Sequence, residues 1–121
     1  GITVHQVNLM EREWDLPVSQ HDRVCMFSSF AFHQLPIAAP ALQALIAQKG
    51  DHWSICMFEP VFAWCSATPL GRLRREYIIA NDYNRDLLDV LEPNPQVTIE
   101  RTEKEFFGMN PLHPASFIGW R

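Results

Sequence analysis

The sequence predicts an α/β protein on an open sheet, and three observations carry that expectation. Two almost uncharged runs, "VCMFSSFAF" and "HWSICMFEPVF", flank a stretch of helical period, the strand, crossover helix and strand of a parallel pair. Further on, "QVTIERTE" alternates: Val97 and Ile99 point one way while Gln96, Thr98 and Glu100 point the other, as in an edge strand with one dry face and protective charges. The chain then ends "NPLHPASFIGWR", in which residues 115–120 carry no charge, so this terminal strand has to be covered on both faces. The hairpin through "FFGMNPLHP" must therefore turn back inward. The last strand is expected between the charged edge strand and the rest of the sheet, with the final two strands swapped relative to chain order.

In chain order, "ITVHQVNL" reads as a short strand and "EREWDLP" as an acidic, proline-terminated loop. From 24 to 32 the only polar residues are Ser28 and Ser29, which predicts a strand buried on both faces. Pro36 and Pro40 bracket a helix start; Ala41, Leu42, Leu45 and Ile46 line one face, and Lys49 and Gly50 close it. The next strand is interrupted at Glu59 and Pro60, and "AWCSATPLG" is irregular. "RLRREYIIA" predicts a helix with Leu73, Tyr77 and Ile78 on its apolar face. "NDYNRDLLDVLEPN" predicts a second helix or a continuation, with Asn81 or Asn84 as cap, Leu87, Leu88 and Leu91 facing the core, and Pro93 and Pro95 stopping it.

With 121 residues, 47% hydrophobic and 20% charged, the chain suits one compact core, so residues 1–121 are expected to form a single α/β domain or part of one. A net charge of -4 leaves no general basic field for nucleic acid. The one basic cluster, Arg72, Arg74 and Arg75, reads as the solvated face of a helix. No apolar run approaches the roughly 20 residues of a membrane span. Cys25, Cys56 and Cys65 form an odd set without close spacing, expected as reduced core residues of a cytoplasmic protein. Gly1 in first place reads as a cut end or the start of an excised piece.

The segments "HDRVCMFSSFAFHQLP", "GDHWSICMFEP" and "QVTIERTEKEFFGMNPLHPASFIGWR", in this order, resemble the C-terminal half of class I S-adenosylmethionine-dependent methyltransferases. There the fourth strand runs into an "LHHLP"-like turn, here "FHQLP"; the fifth often ends in "EP", here Glu59 and Pro60; and the last is entered through an "NPxxPxS" turn and finishes in "WR". The resemblance implies a Rossmann-like open, mostly parallel sheet with a C-terminal antiparallel hairpin. The family's strand order, 3-2-1-4-5-7-6, carries the inversion expected above, and this chain would supply 4-5-7-6. The family's glycine-rich turn has no counterpart, since none of the five glycines forms G-x-G. If "ITVHQVNL" is the third strand, the first two lie upstream of Gly1.

What the resemblance implies for the cofactor falls on four residues. Asn8 stands where the family often has an aspartate near the adenine amino group, with Leu9 following; otherwise Asn8 is a polar turn residue. Ser28 and Ser29, ending the fourth strand, fall where the chain faces the cofactor in the open-sheet crevice, or else pack against a neighbouring strand. His33 takes the first histidine place of the turn, with Gln34 replacing the second, and neither it nor His113 nor Glu59 is identified as a catalytic residue. Two functions follow. One is a methyltransferase part, transferring a methyl group from S-adenosylmethionine to an unspecified acceptor once its cofactor half is supplied. The other is a non-catalytic α/β interaction module pairing with another subunit. The first implies self-association or association with the missing half, the second a partner subunit, and neither implies a membrane.

Overall fold

The computed structural model describes residues 4–19 and 21–121. Its strands are β1 (Val24–Ser29), β2 (Trp53–Glu59), β3 (Ile99–Phe107) and β4 (Ala115–Trp120), and its helices α1 (Ala39–Gln48), α2 (Pro69–Ala80) and α3 (Leu87–Leu91). The four strands form one sheet in the order β1-β2-β4-β3. β1 pairs with β2 in parallel, and β4 is antiparallel to both β2 and β3. One pairing of three is parallel, so the expected mostly parallel sheet is corrected to a mixed one.

The last strand lies inside the sheet because its side chains leave it no other place. Ala115, Ser116, Ile118, Gly119 and Trp120 are buried and Phe117 is half-buried. β3, with Glu100, Arg101 and Lys104 exposed, takes the edge. It runs through Phe107, further than the alternating pattern indicated, and it accommodates irregular register between Glu103 and Phe107, where Glu105 adopts a φ of 50°.

One sheet face carries the core. Trp53, Ile55 and Met57 of β2 alternate inward and join Ile118 and Trp120 of β4, covered by Leu42, Leu45 and Ile46 of α1 and Leu87, Leu88 and Leu91 of α3. Helix α1 begins without a capping side chain of its own. Instead Asp86, just before α3, accepts hydrogen bonds from Ala38 N (2.9 Å) and Ala39 N (3.0 Å), so the carboxylate neutralises the start of α1 across 47 residues of sequence.

The opposite face stays open. β1 is not buried on both faces, as its composition suggested, but lies at the sheet edge with Cys25, Phe27 and Ser29 exposed; Phe27 is 65% exposed. Phe27, Phe58 and Phe117 run across neighbouring strands, with ring centroids 5.5 and 5.1 Å apart.

Other expectations are also corrected. Residues 4–8 are irregular where a strand was expected, and the first two residues of that expected strand lie outside the described ones. Helix α2 starts at Pro69, inside the stretch taken as irregular, because Thr68 caps it: its Oγ1 accepts from Gly71 N at 3.1 Å. Leu73 is 56% exposed and Ile78 is the buried apolar contact of that helix. Neither Asn81 nor Asn84 caps α3. The Asn84 amide donates to Phe32 O (2.6 Å), and that of Asn81 to Tyr77 O (2.8 Å). Of the cysteines, all free, only Cys65 is buried; Cys25 is exposed and Cys56 half-buried.

Candidate functional site at the carboxyl ends of β1 and β2

Ligands of open α/β sheets bind outside the carboxyl ends of parallel strands, here the ends of β1 and β2. β1 continues its ladder to Phe30, whose N–H donates to Phe58 O at 2.9 Å, and then breaks: Phe30 has a φ of 50°, uncommon for an aromatic residue. A 3-10 turn, Phe32–Gln34, follows.

Glu59, the last residue of β2, holds this turn. Its side chain is fully buried. Oε1 accepts from Ala31 N (3.1 Å) and Phe32 N (3.3 Å); Oε2 accepts from His33 N (3.2 Å) and lies 3.3 Å from His33 Nδ1. Burial pushes the Glu59 pKa up, but the hydrogen bonds from His33 and from the turn backbone, with the nearby Ser28 hydroxyl, outweigh it and leave it below the ordinary carboxylate value. With the carboxylate ionised, Nδ1 is the protonated nitrogen of His33 in this contact.

Around this pair stands a cluster of rings. His113, in the turn before β4, has its ring 4.8 Å from that of His33 and stacks on Tyr83 at 4.9 Å; Tyr77 is 5.2 Å away and Phe30 5.9 Å. His113 is buried, and among the described residues neither of its ring nitrogens has a hydrogen-bond partner. Burial above all, and then the neighbouring His33, push its pKa down to about 4, so the ring is neutral at physiological pH.

Of the four residues assigned to the cofactor, Ser28 and Ser29 are at this end of β1 but point to opposite faces: Ser28 is buried on the Glu59 side and Ser29 is exposed. Asn8 is in a turn, its Oδ1 accepting from Met10 N at 3.0 Å. With Leu9 it lines an open cavity of about 630 Å³ that includes neither serine. Leu9 also lines a separate apolar groove of about 360 Å³ with Trp14, Val24 and Met26.

No family model, curated protein or solved structure matches this chain.

The four residues by themselves do not fit S-adenosylmethionine. Asn8 spends its acceptor within its own turn, Ser28 faces inward, and among the described residues no G-x-G turn or ribose-binding acid is joined to them. The residues that organise this end of the sheet are instead Glu59, His33 and His113. A signal for Glu59 was present in the sequence, since a lone acid inside an uncharged strand run has to find a buried partner. His113 carried no such signal, because its ring neighbours come from the turn after β1, from α2 and from the loop that follows α2. The arginine cluster is not a purely solvated face either. Arg74 pairs with Glu105 (2.8 Å) and donates to Pro111 O, while Arg75 donates to Cys65 O (2.7 Å).

Proposed function

We propose that this chain is the C-terminal part of a methyltransferase-like α/β unit, which transfers a methyl group from S-adenosylmethionine to an acceptor when a glycine-rich half completes the site. The observation that supports it best is the place of β4. Numbered by the resemblance, β1, β2, β4 and β3 stand as the fourth, fifth, seventh and sixth strands of that family. In this reading the chain's own residues position rather than react. Glu59 pins the turn after β1 through three backbone N–H groups and the His33 ring, and so presents the backbone of Ser29 and Phe30 at the crevice. Transfer from a sulfonium depends on alignment more than on acid–base help.

The test is a titration of the 121-residue chain with S-adenosylhomocysteine. Calorimetry is expected to show no micromolar binding, because half a pocket cannot offset the entropy of ordering a flexible ligand. Backbone amide NMR at millimolar ligand is expected to show shifts confined to residues 28–31. Micromolar affinity, or the absence of shifts at those amides, would overturn the assignment.

The open face and the uncharged edge of β1 favour a second reading, an interaction module that pairs with another subunit without catalysis. It predicts a partner and no amide shifts with the cofactor product.

A further inference from the structure

The parallel register sets Cys25 opposite Ser54 and Phe27 opposite Cys56. Cys25 and Cys56 therefore lie diagonally, two positions apart on neighbouring strands, with both side chains on the open sheet face. Cys25 is exposed, Cys56 half-buried, and neither is in a disulfide. We propose that Cys25 and Cys56 form a redox-responsive dithiol on this face, closed to a disulfide by a peroxide and reopened by a thiol reductant.

Three features support it besides the register. The two thiols are neighbours on this face, close enough for Cys25 to act on Cys56. Burial first, and the Cys25 thiol next to it, raise the pKa of Cys56, which leaves the exposed Cys25 as the residue that an oxidant in solution reaches first. Finally, β1 is the outer strand, so it can shift toward β2. Diagonal Cα separations of roughly 7–8 Å exceed the usual reach of a disulfide, roughly 4.4–6.8 Å, and closure draws the edge strand inward. A strained, exposed disulfide is easily reduced, so the pair suits a reversible response rather than a permanent staple.

In the first step the Cys25 sulfur, as thiolate, attacks one oxygen of hydrogen peroxide. The O–O bond breaks, Cys25 becomes a sulfenic acid, and the other oxygen leaves as water after taking up a proton. In the second step Cys56 loses its proton and its sulfur attacks the Cys25 sulfur. The S–S bond forms and the sulfenic oxygen leaves as hydroxide, which takes up that proton. The sum is two thiols and one peroxide giving one disulfide and two waters. Cys65, 6% exposed and with its sulfur 3.8 Å from Val61 O, takes no part.

The experiment uses the whole chain carrying Cys65→Ala, so that one pair remains, treated with one equivalent of hydrogen peroxide and read by intact and peptide mass spectrometry without reductant. The expected result is loss of two hydrogens, a cross-link between the peptides holding Cys25 and Cys56, and full recovery of both thiols with dithiothreitol. In a Cys56→Ser chain, Cys25 is expected to be trapped as a dimedone-labelled sulfenic acid. The same cross-link in the unsubstituted chain, located by fragmentation between residues 56 and 65, guards against a folding defect of the variant. Oxidation of Cys25 to the sulfinic acid while Cys56 stays a thiol would overturn the proposal, as would a disulfide linking two chains instead of two strands.

Discussion

His33 and Glu59, 26 residues apart, meet twice: the histidine gives its backbone N–H to Glu59 Oε2 at 3.2 Å and places its ring Nδ1 3.3 Å from the same oxygen. One carboxylate oxygen thus fixes both the path of the turn and the orientation of the ring, while the other holds Ala31 and Phe32. The pair joins the end of β2 to the segment leaving β1.

Removing this acid should be among the costliest single changes in the chain. Glu59→Ala leaves three N–H groups and an imidazole facing a cavity, and a charge-assisted bond lost in a buried site costs about 1.5–3 kcal/mol. We expect destabilisation of about 3 kcal/mol or more in urea unfolding, with an unchanged slope. Glu59→Gln keeps the shape and one good acceptor, and should cost about half as much. A loss under about 1 kcal/mol for the alanine variant would show that the turn does not depend on the carboxylate.

Acid should weaken the fold in two steps, both of the same sign. His113 has its folded pKa lowered to about 4 from 6.5, so below pH 6.5 the unfolded chain binds the proton that the folded chain refuses. Stability falls from pH 6.5 toward 4, by about 3 kcal/mol at pH 4 relative to neutrality. Glu59, lowered from 4.5, contributes stability that is present above that value and is lost as pH falls through its folded pKa, a lower window. Unfolding midpoints at several pH values check this. His113→Phe should remove the upper step and leave the lower one.

The sequence made the sheet legible because its strands carry their own periods: the uncharged run at 115–120 and the alternation beginning at Val97 both correspond to strands, and the inward hairpin follows from them. It misled where burial depends on neighbours. Residues 24–29 are apolar enough for two covered faces, yet their exposure is decided by what lies beside β1, which local composition does not encode. Long-range polar contacts were equally hidden. Asp86 looks like a local residue ahead of α3, but its partners are Ala38 and Ala39. Asn8 followed the local alternative, a turn, because its side chain can satisfy a backbone N–H two residues on.

Gly71 should respond in the direction opposite to that of most helical glycines. Gly→Ala inside a helix ordinarily stabilises by about 0.5–1 kcal/mol. Here a Cβ would stand 2.0 Å from the backbone oxygen of Ser66, so the chain entering α2 has to move, and with it the Thr68 cap. We expect Gly71→Ala to destabilise by at least about 2 kcal/mol, more than the approximately 1 kcal/mol for Thr68→Ala. Thermal unfolding of the two variants decides the order, and a stabilised Gly71→Ala would show that the Ser66 carbonyl moves at no cost.

The free edge of β1 should drive association. Val24 N donates to His52 O and Phe30 N to Phe58 O, so the even-numbered amides of this strand face β2 and those of Cys25, Phe27 and Ser29 face outward. Nothing of the kind that usually blunts an edge is present from 24 to 29: no charge and no proline, with Phe27 standing 65% exposed. An uncharged strand of this length, unpaired on its outer side among the described residues, is a template for another strand, whether from a second copy or from a separate half. Sedimentation equilibrium across a range of concentrations is expected to show a weight-average mass rising above that of the 14.0 kDa chain. The three outward amides should exchange with deuterium rapidly in dilute samples and slowly in concentrated ones. Phe27→Lys, which puts a charge on the open face without touching the core, should shift both measurements toward the monomer. A chain that stays monomeric at every concentration, with those three amides slow throughout, would mean that its own residues cover this edge, and the need for a partner would fall with it.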